Sequence, residues 1–174
     1  MKLSVLIPAN NEAKSLGEIV RTLFNVLARE AIPHEILVVN DHSTDHTVEV
    51  LKELETNIST LRWVNNSSPQ GFGYAVRQGM NCFKGDCVAI FMGDGSDSTD
   101  DLVSFYRILV RKNYDAAVGY NLHGLIRAHY FHSSICSCPS GFAGSLKEEF
   151  RILYPLPFAF SETRSLSVLT CSCH

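Results

Sequence analysis

Carboxylates and amides stand where apolar runs of this 174-residue chain stop. Asn10, Asn11 and Glu12 follow LSVLIPA, Asp41 follows EILVVN, and Asp94 follows CVAIFM between Gly93 and Gly95. A carboxylate between glycines lets a ligand come close to the backbone. It can bind a hard divalent cation through oxygen, and such a cation can hold a diphosphate. An Asp at the end of a second strand can accept hydrogen bonds from a base or a ribose. Gln70-Gly71-Phe72-Gly73 opens a helical pattern, and a helix N-terminus attracts phosphate. It lacks the third glycine and the position after a first strand that a dinucleotide fingerprint needs.

The same features have blander readings. Gly93–Gly95 can be a simple turn with a solvated Asp, and the Asp41–Asp45 segment can serve to cap a helix, with Ser43 or Thr44 as the cap. His42 and His46 read as surface residues rather than a metal pair. Cys82 and Cys87 read as buried thiols. Cys136-Ser137-Cys138 and Cys171-Ser172-Cys173-His174 lack the usual zinc-ligand spacing.

The elements that must position these groups follow from periodicity. Residues 3–8 form an apolar run ended by Pro8, a buried strand. Leu16, Ile19, Val20, Leu23, Phe24 and Leu27 then line one helical face, broken at Ala31-Ile32-Pro33. Residues 35–40 read as a parallel strand buried on both faces. Val48, Leu51 and Leu54 mark a second helix, 61–64 a third strand, and Ala75, Val76, Gly79, Met80 and Phe83 a third helix. Residues 87–92 make a fourth strand. A fourth helix carries Leu102, Val103, Phe105, Tyr106, Leu109 and Val110, and a fifth strand over 114–118 ends at Gly119. Strands alternating with helices predict βαβ units in a mostly parallel sheet with helices on both faces. Ligands of such sheets bind outside the carboxyl ends of the strands, where the polar residues fall.

Composition excludes several classes. With 45% hydrophobic residues and a net charge of −3, the chain is neither disordered nor a general nucleic-acid binder. The apolar stretch of MKLSVLIPANNEA is too short for a signal peptide, and no run reaches a membrane span. A cytoplasmic protein is the expectation. The charge is unevenly spread: residues 1–119 hold fifteen of the eighteen acids, whereas 120–174 hold no Asp, four of the six Cys and nine Ser.

Four ordered segments carry a resemblance. LSVLIPANNEA resembles the opening of the family 2 glycosyltransferases, and EILVVNDHSTDHT their second-strand motif. SPQGFGYAVRQGM resembles their glycine-containing segment, and GDCVAIFMGDGSDSTDDL the strand that carries their Asp-x-Asp metal motif. The match covers about residues 3–118 and is closest to the polyprenyl-phosphate branch, the dolichol-phosphate mannose type. It implies a Rossmann-like, three-layer GT-A α/β fold, a nucleotide-sugar donor (GDP- or UDP-sugar) and Mg²⁺ or Mn²⁺. It also implies transfer, with inversion, to a polyprenyl phosphate or glycan, with peripheral association at the cytoplasmic membrane face. Carried over by position, Pro8, Asn10, Glu12, Asp41, Gly71 and Gly73 are donor-binding residues, and Asp94 with Ser96 the metal site.

The departures are specific. Asn10 replaces a common aromatic, Asn40 the first Asp of the second-strand pair, and Thr99 the usual Pro. Asp94 is the sole remaining Asp of the metal motif. Beyond Gly119 the expected Arg is missing and no Asp follows Asp115, leaving only Glu148, Glu149 and Glu162 as carboxylates. Catalytic residues are therefore unassigned. The organisation read from the sequence is a nucleotide-sugar-binding half-domain over 1–121 and a divergent segment over 122–174. The alternative function is a truncated, non-catalytic nucleotide-sugar-binding remnant.

Overall fold

The computed structural model describes residues 1–114, 116–122, 125–131 and 166–171. The elements run β1 (Leu3–Ala9), α1 (Leu16–Arg29), β2 (His34–Asn40), α2 (Thr47–Asn57), β3 (Leu61–Asn65), α3 (Phe72–Met80), β4 (Cys87–Ile90), α4 (Thr99–Lys112), β5 (Ala116–Leu122), β6 (Leu125–Phe131) and β7 (Leu166–Cys171). The strands form one seven-stranded sheet in the order β3-β2-β1-β4-β7-β5-β6.

The first four strands pair in parallel, with β1 between β2 and β4. Alternation along them divides the core. Leu3, Val5, Ile7 and Ala9 of β1, with Ile36, Val38, Ala89 and Phe91, face α1, α2 and α4. Leu6, Leu37, Val39 and Val88 face α3. A strand buried on both faces reads as an unbroken apolar run, and that is why LSVLIPA and EILVVN lack polar alternation. The helix α3 sits close to the sheet because Gly79 has no side chain: a Cβ there would come within 2.1 Å of Leu6 Cδ1.

The expected βαβ order holds through β4. The fifth strand differs in two ways. It runs on through Gly119 to Leu122, and it pairs antiparallel with both β6 and β7 rather than in parallel. The strand β7, from far along the chain, is inserted antiparallel between β4 and β5. Both β6 and β7 come from beyond residue 121 and join the same sheet. The fourth strand also closes early, at Ile90, because the Met92 N–H turns to the Asp97 carboxylate at 2.8 Å. The helix α2 is another correction: it begins at Thr47, and neither Ser43 nor Thr44 caps it. The N-cap position is His46, whose side chain makes no capping bond, and Asp45 before it accepts the Thr47 N–H at 3.0 Å. Ser98 does cap α4, accepting from Asp101 N–H at 3.4 Å.

The amino-end edge of the sheet is closed by a buried polar cluster. Glu35 accepts from Arg62 Nε at 2.9 Å, from Ser4 Oγ at 2.5 Å, and from the Lys84 N–H. Ser4 Oγ in turn accepts from Gly85 N–H at 2.8 Å. Burial pushes the Glu35 carboxyl up, but the bonds from Arg62, Ser4 and Lys84 outweigh it and hold it below the ordinary glutamate value.

Two predictions follow from this packing. Gly79→Ala should drive α3 off Leu6 and cost about 1–3 kcal/mol, read from the urea midpoint. A carboxyl held low in the fold stabilises it above the unfolded value of about 4.3 and loses that contribution as pH falls from there. Arg62→Met removes the main partner of a buried Glu35, although Arg62 itself is 27% exposed. It should cost about 2–3 kcal/mol at pH 7 and move the acid-unfolding midpoint upward.

Candidate functional site

The register brings three strand ends level: Ala9 pairs with Asn40, and Asn40 with Asn65. The loops that leave them therefore meet at the carboxyl-end edge of the sheet. Asp41 lies at their junction. It is 4% exposed, and its own N–H continues the β1–β2 ladder to Ala9 O at 2.8 Å. Its carboxylate Oδ1 accepts from Asn66 Nδ2 at 2.7 Å and from His42 Nδ1 at 3.3 Å, and Oδ2 accepts from Gly71 N–H at 2.8 Å. Asn10 Nδ2 donates to the Asp41 carbonyl. Burial pushes the Asp41 carboxyl up, but the bonds from Asn66, Gly71 and His42 more than offset that and hold it below the ordinary aspartate value.

The loops after β1 and β2 are laced to each other. Asn11, in the left-handed region at φ 58°, turns its Oδ1 to Thr44 N–H at 2.8 Å and Asp45 N–H at 3.3 Å. Asn tolerates that backbone better than most residues. In return Asn11 N–H donates to Ser43 Oγ at 3.0 Å, Glu12 N–H to Thr47 Oγ1 at 3.0 Å, and Ala13 N–H to Asp45 Oδ2 at 3.2 Å. These bonds explain why Ser43 and Thr44 are not caps: both are committed to Asn11.

Glu12 points the other way, toward the end of β4. Ser15 Oγ lies 3.0 Å from Glu12 Oε2 and donates to Gly93 O at 2.7 Å. Gly93 is buried, and a Cβ there would come within 3.3 Å of Pro8 O, so the turn after β4 lies close against the end of β1. Asp94 follows, exposed, with Oδ1 accepting from Ser96 N–H at 2.9 Å. It lines a cleft of about 430 Å³ together with Ser15, Glu18, Phe91 and Thr99.

Of the residues singled out by sequence, Asn10, Asp41 and Gly71 are thus joined by hydrogen bonds. Glu12 and Pro8 contact the Gly93 turn, and Ser96 is joined to Asp94 through its backbone. Gly73 lies on the exposed first turn of α3 with open space around it. No hydrogen bond joins the Asp41 cluster to Asp94 among the described residues. Glu148, Glu149, Glu162, Cys136, Cys138, Cys173 and His174 lie outside the described residues. Cys87 is buried and Cys82 half-buried. His42 and His46 do not act as a pair: the first faces Asp41, and the second lies 3.9 Å from Glu49.

Sequence reading missed Asn66 and Ser15, and marked Asn11 only as a polar residue at a strand end. The Asn65-Asn66 doublet before a Pro-Gln-Gly loop was a usable signal, since Asn favours backbone-bonded turns. Nothing in the sequence marked Asn66 as the partner of Asp41.

Among the described residues no three His, Cys, Asp or Glu side chains converge into a metal cage. Asp94 is instead an exposed carboxylate at an open cleft that Glu18 and Asp97 also line. That suits a hard cation that draws its remaining ligands from water and phosphate.

A parallel β1–β4 sheet with polar loops gathered at its carboxyl edge gives the chain an α/β fold of GT-A type. Residues 4–155 match the model of glycosyl transferase family 2, and the chain belongs to that family. It is 30% identical over 123 residues to the dodecaprenyl-phosphate galacturonate synthase of Rhizobium johnstonii, covering 69% of this chain and 36% of that protein. The mannosyltransferase PcManGT of Pyrobaculum calidifontis, solved with GDP-Man and Mn²⁺, aligns with 66% of this chain and 34% of its own at TM-score 0.54 and 23% identity. TarS of S. aureus, solved with UDP-GlcNAc, aligns with 67% of this chain and 33% of its own at TM-score 0.51 and 23% identity. These two are likenesses of fold. The chain spans about a third of the length of the curated relatives it matches. Among the described residues no helix is long and apolar enough to cross a membrane.

The lacing by Asn11 is testable. Asn11→Gly keeps the backbone angle and removes the acceptor for Thr44 and Asp45. Their amide protons should exchange about fivefold faster, the equivalent of about 1 kcal/mol. Asn11→Asp, which keeps the acceptor, should leave exchange near the parent rate.

Proposed function

We propose that this carboxyl-end edge holds the nucleoside diphosphate of a nucleotide-sugar donor, and that the chain serves glycosyl transfer to a polyprenyl phosphate or glycan. The observation that carries the reading is the meeting, on one sheet edge of a family 2 chain, of the Asp41–Gly71 cradle and the exposed Asp94. The Pro8–Glu12 loop and Asp41 hold the nucleoside, and the glycine-lined start of α3 borders the phosphates. The relatives named above, solved with GDP-Man and with UDP-GlcNAc, support a donor of this class.

Asp94, with Ser96 beside it, would hold a Mg²⁺ or Mn²⁺ ion. Such an ion supplies charge neutralisation for a departing diphosphate. Everything else is the work of the chain. Asp41, held below the ordinary aspartate value by the bonds from Asn66, Gly71 and His42, is an anion at neutral pH and keeps accepting hydrogen bonds. The Ser15–Gly93 bond keeps the Asp94 turn against the end of β1, and so fixes the distance between nucleoside and phosphate subsites. A polyprenyl phosphate is already an anion, so it attacks without a general base. That acceptor fits a chain in which no carboxylate base is assigned. The dodecaprenyl-phosphate relative supports a lipid-phosphate acceptor, which would bring the protein to a membrane surface.

Calorimetry with UDP and GDP, with and without Mn²⁺, tests the donor site. The expected result is binding that Mn²⁺ tightens at least tenfold in the parent, with that gain lost in Asp94→Ala. Mn²⁺-independent binding that Asp94→Ala leaves unchanged would remove Asp94 from the phosphate subsite. Binding without turnover, when nucleotide-sugar and polyprenyl phosphate are supplied together, would favour the non-catalytic reading.

A further inference from the structure

We propose that the exposed side of α3 docks on an anionic membrane surface, with Phe72 and Tyr74 entering the headgroup region and Arg77 and Lys84 meeting lipid phosphates. The choice of partner rests on the lipid-phosphate acceptor read above, and the proposal adds the surface that would reach it.

Charge divides the two faces of the sheet. From Thr56 to Gly85 the chain holds three cations, Arg62, Arg77 and Lys84, and no acid, whereas residues 1–55 and 86–119 hold fifteen acids against eight Lys and Arg. The acid-free segment supplies β3 and α3, and α3 covers the face that carries Leu6, Leu37 and Val88. The acid-bearing helices α1, α2 and α4 cover the other. Arg62 is engaged by Glu35. Arg77 and Lys84 are exposed, and among the described residues no carboxylate pairs with either.

The first turn of α3 also differs from those of its neighbours. There α1, α2 and α4 carry Glu18, Glu49 and the pair Asp100 and Asp101, as a helix dipole favours. The first turn of α3 has no acid and carries Phe72 and Tyr74 instead, 40% and 46% exposed. Phe72 has the helical phase of Val76 and Phe83, which pack on the sheet, yet it is not among the side chains packed there. The Tyr74 ring lies beside Gly71, where a Cβ would stand 3.5 Å from Tyr74 Cδ2. Gly71 N–H binds Asp41, so the aromatic pair borders the candidate donor edge.

Aromatic rings beside unpaired cations suit an anionic lipid interface. Rings that are apolar at one end and wet at the other settle at headgroup level. A stable protein interface takes about 800 Å² from each partner, more than two half-exposed rings offer. A bilayer accepts such anchors singly, and each cation at its surface adds about fivefold to binding.

The test is sedimentation of the 174-residue chain with phosphatidylcholine vesicles, alone or with about a third phosphatidylglycerol. Partition should be at least about tenfold stronger on the anionic vesicles. Arg77→Gln with Lys84→Gln, and separately Phe72→Ser with Tyr74→Ser, should each weaken it at least about tenfold. Arg111→Gln with Lys112→Gln, at the far end of α4, should change it less than about twofold, because those cations lie on the other face. In Phe72→Trp the added emission should shift to the blue on anionic vesicles and be quenched by brominated acyl chains. Trp63, packed against the core on the opposite face, should not be quenched in the parent. Vesicle binding that the α3 substitutions leave unchanged, or no quenching in Phe72→Trp, would overturn the proposal. Binding of UDP or GDP without binding of anionic vesicles would overturn it too and leave the donor site standing. Vesicle binding through α3 without nucleotide binding would support the surface and remove the donor-site reading.

Discussion

A buried anion must be satisfied, and Asp41 is where the architecture meets that demand. Its carboxylate is almost wholly removed from water, and the bonds that compensate it come from the β3–α3 loop and from the adjacent His42, while the loop after β1 is tied to its backbone carbonyl. Asn66 comes from the segment after β3, Gly71 N–H from the start of α3, and Asn10 reaches its carbonyl from the segment after β1. A buried charge with one partner removed is costly, so these loops are held in place by the same condition that keeps the domain folded. The candidate site is therefore built into the fold rather than laid over it.

The opposite edge solves the same problem differently. There a second buried carboxylate, Glu35, is met by Arg62 and by backbone N–H groups from the turn before β4. The first solution satisfies the anion with neutral donors from the loops around it. The second is neutralised by a cation within the chain. The parallel strands thus have two unlike ends: the loops at one edge all follow strands, and at the other all precede them.

Much of this was legible in the residues. Unbroken apolar runs announced strands buried on both faces, and the heptad-like spacing from Leu16 to Leu27 announced α1. The polar residues at three strand ends announced the edge at which they gather. What the sequence hid was partnership. Ser43 and Thr44 look like caps by type, but their polar groups are claimed by Asn11, more than thirty residues away. Local propensity cannot see such a competitor. The same holds for β7: LSVLTC is a plausible strand, yet only the unpaired edge of β4 dictates that it lies between β4 and β5, antiparallel to both. Asp94 was visible from its glycines alone, and its neighbour Glu12 reaches it only through Ser15 and Gly93.

The insertion of β7 has a consequence for synthesis. The four parallel strands and their helices are complete once Lys112 has emerged from the ribosome, but β4 then has a bare edge of N–H and C=O groups. Among the described residues that edge is filled by 166–171, more than fifty residues further along the chain. For the time needed to translate the intervening segment, a nascent chain carries a central sheet with an open flank, the kind of surface that recruits other strands. Pairing of β4 with β7 must therefore outrun pairing of the same edge with a strand of another chain.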